Sequence, residues 1–304
     1  MRRSAYAAIA VAIVCVSFAT PLIKLTSKDT HTLVVAAYRM TFATLFLAPF
    51  ALRSRDLRTL SRRDLGLLTA TGLVLAVHFA TWIASLKEVP VPTASSLVLV
   101  TAHPLLVAVV SHFAFRERMR RLTAVGIALG LCGVAVIGFA SGGAAGAVLG
   151  NALALVGGVM AGLYLLAGRR LRQRLSLVAY AFPVYAVAAI ALLAATAVAG
   201  VSLEPAGDRT RELLLFLGLA GISQIGGHTL YNWALKHVPA TTVSVSLLGE
   251  PIGGSLLTWA ILGEVPPGMV AVGAALALPG IFLTGYSLEK TSAGDLESAV
   301  NRKP

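Results

Sequence analysis

Apolar residues run in long blocks along this chain, each close to the length a helix needs to cross a bilayer, with the polar positions gathered between them. A hydrocarbon core of about 30 Å takes about 20 residues of helix. Ten such blocks can be marked, at 5–25, 32–52, 65–85, 93–115, 122–140, 148–168, 177–200, 212–234, 240–262 and 267–287. The pattern predicts an all-α integral membrane protein with ten transmembrane helices.

The blocks are written twice. Leu86, Lys87, Val89 and Pro90 recur as Leu235, Lys236, Val238 and Pro239. Further on, Pro104, Glu117, Gly126, Gly133 and Gly138 recur in one register as Pro251, Glu264, Gly273, Gly280 and Gly285. Each half holds five spans, an odd number, so the second half enters the membrane from the opposite side and the repeats are inverted. The expected organisation is a first repeat over 1–140, a Gly- and Ala-rich linker over 141–149 and a second repeat over 150–287. A polar tail over 288–304 is expected to be disordered on the cytoplasmic side.

Composition narrows the class. With 57% of its 304 residues hydrophobic and 12% charged, the chain has lipid for its main solvent. The net charge of +12 comes from Lys and Arg gathered in alternate loops: Arg53 to Arg63, Arg116 to Arg121 and Arg169 to Arg174 all fall on one side. By the positive-inside rule both termini are expected in the cytoplasm, in a cell (inner) membrane. Topology accounts for the basic clusters, so no nucleic-acid partner is expected. The opening Met-Arg-Arg and its apolar run read as an uncleaved first span. Cys15 and Cys132 fall inside spans without Cys-x-x-Cys spacing, so no disulfide, metal or cofactor is expected.

Ionisable groups inside a span cost about 2.5 to 3.5 kcal/mol at its centre on insertion scales and are therefore functional candidates. Glu250 stands mid-span directly before Pro251, and its repeat counterpart His103 directly before Pro104. Each proline is expected to break its helix and to leave the carbonyls of Val100 and Leu247 without their usual donors. Ser96 and Ser246 share helix faces with His103 and Glu250, and Gly253 and Gly254 leave room beside the carboxyl. Glu250 is the candidate proton-coupling group; a neutral carboxyl bridging two helices is the structural alternative. In the third span His78, Trp82 and Ser85 form one polar and aromatic face, which the eighth answers with His228, Tyr231 and Asn232. Aromatic planes beside a few hydrogen-bonding groups suit an amphipathic organic solute. The candidate substrate-binding set is therefore His78, Trp82, His103, His228, Tyr231, Asn232 and Glu250.

Arg39, about two turns into the second span, is expected to snorkel to the nearer surface, with anion capture or an ion pair left open. Glu117 and Glu264 read as boundary residues that cap or bridge the next helix, and His112 and His237 as inert groups near the surface. Gly126 with Gly130, and Gly158 with Gly162, have helix-contact spacing, expected to serve packing within one bundle. No catalytic residues are expected, because H-E-x-x-H, G-x-S-x-G, a P-loop and a paired-acid site are all lacking.

These residues resemble the EamA-type carriers of the drug/metabolite transporter superfamily. The resemblance covers roughly 5–140 and 148–287. It is carried by YRMTFATLFLAP in the second span, AHPLLVAVVSHFAFRERMRRLTAVGIALGLCGVAVIG in the first copy and LLGEPIGGSLLTWAILGEVPPGMVAVGAALALPGIFLTG in the second. The first copy departs by having Arg116 where the second has Gly263. The resemblance implies a ten-helix bundle with a central cavity lined by spans 1, 3, 4, 6, 8 and 9, spans 5 and 10 being peripheral. It further implies a secondary active or facilitative transporter that exports amino acids or small amphipathic metabolites by alternating access. The expected partners are a small organic solute and membrane lipid, and the protein is expected as monomer or homodimer. A flippase for a lipid-linked carrier and an intramembrane enzyme are the alternatives.

Overall fold

The computed structural model describes residues 2–89, 91–105, 121–140, 145–238 and 240–300. Among these the chain is helical apart from its connections, and no strand occurs. Seven helices are long and apolar enough to cross a bilayer: Arg3–Leu25, Thr32–Arg53, Arg62–Lys87, Gly146–Arg172, Leu177–Val198, Arg209–Ala234 and Thr242–Leu262. Three shorter apolar helices, Thr93–Leu105, Arg121–Ile137 and Gly268–Thr284, complete the ten spans, numbered here 1 to 10 in chain order. Residues 106–120, which include Glu117 and His112, and residues 141–144 of the linker lie outside the described residues.

Local chemistry sets the helix ends. Span 3 opens on a capping box, in which the Ser61 hydroxyl accepts from Asp64 N–H at 3.1 Å and Asp64 accepts from Ser61 N–H at 3.3 Å. Asp208 caps span 8 by accepting from Thr210 N–H at 2.9 Å. Span 9 stops at Gly263, whose φ of 70° is the left-handed conformation that ends a helix most cheaply in glycine. The final helix runs Gly268–Val300, through much of the tail expected to be disordered. That stretch is rich in Ala, Leu, Glu and Lys and has no proline before Pro304, so nothing in it stops a helix already begun.

Four spans are irregular in mid-membrane. Span 4 is helical over Thr93–Val100, turns at Thr101 and Ala102 and resumes at His103. Span 9 is split into Ala240–Ser246 and Gly249–Leu262. The two breaks stand at matching places in the two halves, each just before its Pro104 or Pro251. Span 1 is also split, into Arg2–Ser17 and Ala19–Leu25, a break that hydropathy alone does not foresee. Its cause is Pro21, which cannot donate to the Ser17 carbonyl. Span 8 winds as a π-helix over Leu219–Thr229, between α-helical ends.

Spans 5 and 10 pack along their whole length. Gly126 meets Thr284 and Gly280, Gly133 meets Ala277 and Gly273, and Gly130 meets Gly280, so closely that an added Cβ at Gly126, Gly133 or Gly280 would overlap the facing backbone. The order is antiparallel and reciprocal. Gly126 faces Gly280, the repeat counterpart of Gly133, while Gly133 faces Gly273, the counterpart of Gly126. Such a reciprocal contact is what a two-fold axis lying in the membrane produces between inverted halves. The ten helices thus form two inverted five-helix repeats.

Candidate functional site

The two broken spans meet in the middle of the bundle at a small cavity. Its walls come from spans 3, 4, 6, 8 and 9. Span 1, expected in that wall, contributes no lining side chain among the described residues. His78, Trp82, His103, His228, Tyr231 and Glu250 all line the cavity. Asn232 does not. Its amide donates to the hydroxyls of Tyr164 at 2.6 Å and Tyr185 at 3.3 Å, behind the wall.

His78 is fixed by donating from Nδ1 to the carbonyl of Gly157 at 2.8 Å, so in the neutral ring Nε2 is left as an acceptor. Its ring stacks on Trp82 at 5.9 Å between centroids, with 16° between planes. Glycines at 157 and 158 make this approach possible: Gly157 lies against Trp82, and Gly158 against the Val100 carbonyl. Among the described residues His228 is held by ring contacts, 5.4 Å from Phe79, 6.3 Å from His78 and 6.5 Å from Tyr164. Across from them His103 is 3% exposed, and neither of its ring nitrogens has a hydrogen-bond partner among the described residues. Trp82 Nε1 and the Tyr231 hydroxyl are buried and unpartnered in the same way. Buried donors and acceptors left open around one space are what a polar ligand satisfies.

Glu250 is 7% exposed. The break in span 9 sets it there: the Leu247 carbonyl, expected to be free, accepts Glu250 N–H at 2.9 Å in a tight turn. Ser246 donates to the Val243 carbonyl at 2.7 Å, and Ser96 pairs with Ser85 at 2.6 Å, so neither hydroxyl serves the ionisable group on its own span.

Arg39 corrects an expectation. It does not snorkel; it is wholly buried, with Nε donating to Gln224 Oε1 at 3.0 Å and the guanidinium 4.0 Å from the centroid of the Phe79 ring. Tyr164 was also passed over by reading the sequence, although it is the one aromatic in a span of small and aliphatic residues.

Charged groups close one end of the bundle. Glu264 pairs with Lys24 at the end of span 1 and accepts from Thr93 Oγ1 at 2.5 Å and Thr93 N–H at 3.3 Å, the first turn of span 4. Burial alone would raise this carboxyl, but the hydrogen bonds from Lys24 and Thr93 outweigh it and hold the group below the ordinary carboxylate range. Lys87 donates to Thr26 Oγ1 at 2.6 Å and to the Ser27 carbonyl at 2.8 Å at the same end. At the opposite end Arg169 donates to the carbonyls of Leu235 and Val238, and Arg172 to that of Asn232 at 3.0 Å, so two of the loop arginines cap span 8.

A bundle of paired inverted repeats, with a polar cavity where broken helices meet at mid-membrane, defines the class of membrane carriers. A model of the EamA-like transporter family matches residues 3–139 and again 148–286, and the chain belongs to that family. It is a membrane transporter. It is 28% identical over 251 residues to the "Probable terminal-alkyne amino-acid exporter" of Streptantibioticus cattleyicolor, covering 81% of each chain. It is 25% identical over 264 residues to an "Uncharacterized transporter" of Clostridium kluyveri, covering 84% of each. A protein of known crystal structure shares the fold, with a TM-score of 0.65 at 21% identity over 93% of this chain and 98% of that one.

Proposed function

We propose that this transporter exports amino acids or small amphipathic metabolites by alternating access, with both termini in the cytoplasm and Glu250 as its proton-coupling group. The observation that carries the reading is the symmetric placing of His103 and Glu250, each beside a proline break, at one shared cavity. The seam of spans 5 and 10 supports it, because reciprocal halves can exchange shapes and turn one site to either face. By charge bias the Glu264 end is the outer one, and its ion pair and hydrogen bonds hold that end closed in this reading.

The test is counterflow of an amino-acid and metabolite panel in proteoliposomes holding the full chain, with and without an imposed pH gradient. The expected result is gradient-dependent flux of one solute class, lost in Glu250→Gln while the variant inserts and stays monodisperse. Gradient-driven flux unchanged in that variant removes Glu250 from coupling.

A second reading, a flippase for a lipid-linked carrier, has one observation in its favour. Leu99, Ala102 and Leu105 of span 4, with Leu131 and Val134 of span 5 and Leu155 of span 6, line a second, apolar recess that shares His103 with the cavity. Movement of a fluorescent lipid between leaflets by the same proteoliposomes, without solute counterflow, would favour it.

A further inference from the structure

Arg39 has more donors than the protein fills. A guanidinium carries five N–H groups, yet only Nε is engaged, by Gln224, and Nη1 and Nη2 have no partner among the described residues. The group has no exposed surface, and no acidic side chain of the described residues lies within ion-pair distance of it. Burying a cation in this state costs several kcal/mol unless an acceptor arrives. The Phe79 face supports the guanidinium from one side, and Gln224 fixes its plane. Phe79 in turn packs on His228, which lines the cavity. Two rings, Phe79 and His228, therefore stand between Arg39 and the cavity, and a ligand reaches the guanidinium when they turn aside. Glu250 is the acidic group on the cavity wall.

We propose that Arg39 is the carboxylate-recognition residue of the transported solute. A small organic acid places its carboxylate on the two unfilled Nη groups, the bidentate geometry that guanidinium favours. Where the solute also carries an amine, Glu250 receives it, so the pair selects α-amino acids over amines and amides. This rests on the transport reading above and names the substrate chemistry of the same cavity.

The experiment uses the purified full-length protein in detergent with four probes that share one isobutyl side chain: leucine, its 2-oxo acid, leucinamide and isoamylamine. Titration calorimetry and thermal stabilisation are measured first, then counterflow in proteoliposomes. Wild type is expected to bind the two acids and to discriminate against the amide by about tenfold or more. Arg39→Lys keeps the charge and loses about tenfold in acid affinity, and Arg39→Gln loses the preference for acids altogether. Arg39→Gln combined with Glu250→Gln removes both charges and guards against simple misfolding. It is expected to regain thermal stability without regaining acid binding. Return of acid binding in the double variant reduces Arg39 to a counter-ion for Glu250 and overturns the proposal, as does equal binding of acid and amide or no binding of any probe. Counterflow without acid preference would leave transport standing and sink this assignment. Arg39-dependent acid binding without counterflow of any probe would do the reverse.

Discussion

Histidine 78 shows how a cavity side chain gets its chemistry from what stands behind it. The Gly157 carbonyl fixes Nδ1 as donor and Trp82 fixes the plane, so Nε2 faces the cavity as a positioned acceptor. His228, held by ring contacts, has no such anchor among the described residues. Removing either ring takes away a hydrogen bond or a stacking surface, each about 0.5 to 1.5 kcal/mol. His78→Ala and His228→Ala are expected to change the ranking of competing solutes by about 2- to 10-fold while leaving total counterflow of the best solute measurable. An unchanged ranking across the panel would return both to structural roles. At this scale the sequence was informative where a residue type was costly in lipid, as with Glu250 and His103. It failed where the answer depended on the neighbouring span. Whether Arg39 reaches water or meets Phe79 and Gln224 depends on which way its helix face is turned, and hydropathy does not record that. Asn232 failed in the opposite sense: a polar residue on the right face turned out to serve Tyr164 and Tyr185.

The irregular elements divide by the strength of their local signal. Proline breaks in spans 4 and 9 were legible because a missing N–H acts on its own helix, and the same rule applied to Pro21 accounts for span 1. The π-helix in span 8 was not legible, since Gly221, Gly226 and Gly227 permit a wide turn without requiring one. It accompanies the placing of Gln224 against Arg39, in keeping with the habit of π segments to occur at functional sites. The glycine seam was legible as spacing, but its partner, span 10, was not, because spacing marks a contact face without saying what meets it. Gly133→Leu or Gly280→Leu must push spans 5 and 10 apart, since the facing atoms are backbone. Overpacking of this kind costs about 1 to 3 kcal/mol or more, so melting of the detergent-solubilised protein is expected to fall by several degrees. Gly66→Leu, where a Cβ meets nothing within 4 Å, is the control and should leave the melt unmoved. Equal melts for all three would mean the seam does not hold the halves together.

For the whole molecule the question is what keeps the Glu264 end shut. Glu264 ties span 1 through Lys24 and span 4 through Thr93, and those are the spans that run from the latch toward the centre, beside Glu250 on its own span 9. Sequence reading took Glu264 as a boundary residue capping or bridging the next helix, but it ties two other spans, both of them in the first repeat. Because the carboxyl is held below its ordinary range when latched, its contribution to closure is fully present above the ordinary carboxylate range and is lost as pH falls through the lower, latched value. Closure should therefore be steady from neutral pH down to about pH 4 and weaken only below that. Neutralising the group removes the latch at any pH. With Ala161→Cys as a reporter in the cavity wall, modification by an impermeant maleimide from the Glu264 side is expected to speed up several-fold in Glu264→Gln and in Lys24→Gln. The charge swap Lys24→Glu with Glu264→Lys should restore much of the protection, though not the cap on Thr93. Equal labelling rates in all four backgrounds would show that closure rests on helix packing and that the ion pair only decorates it.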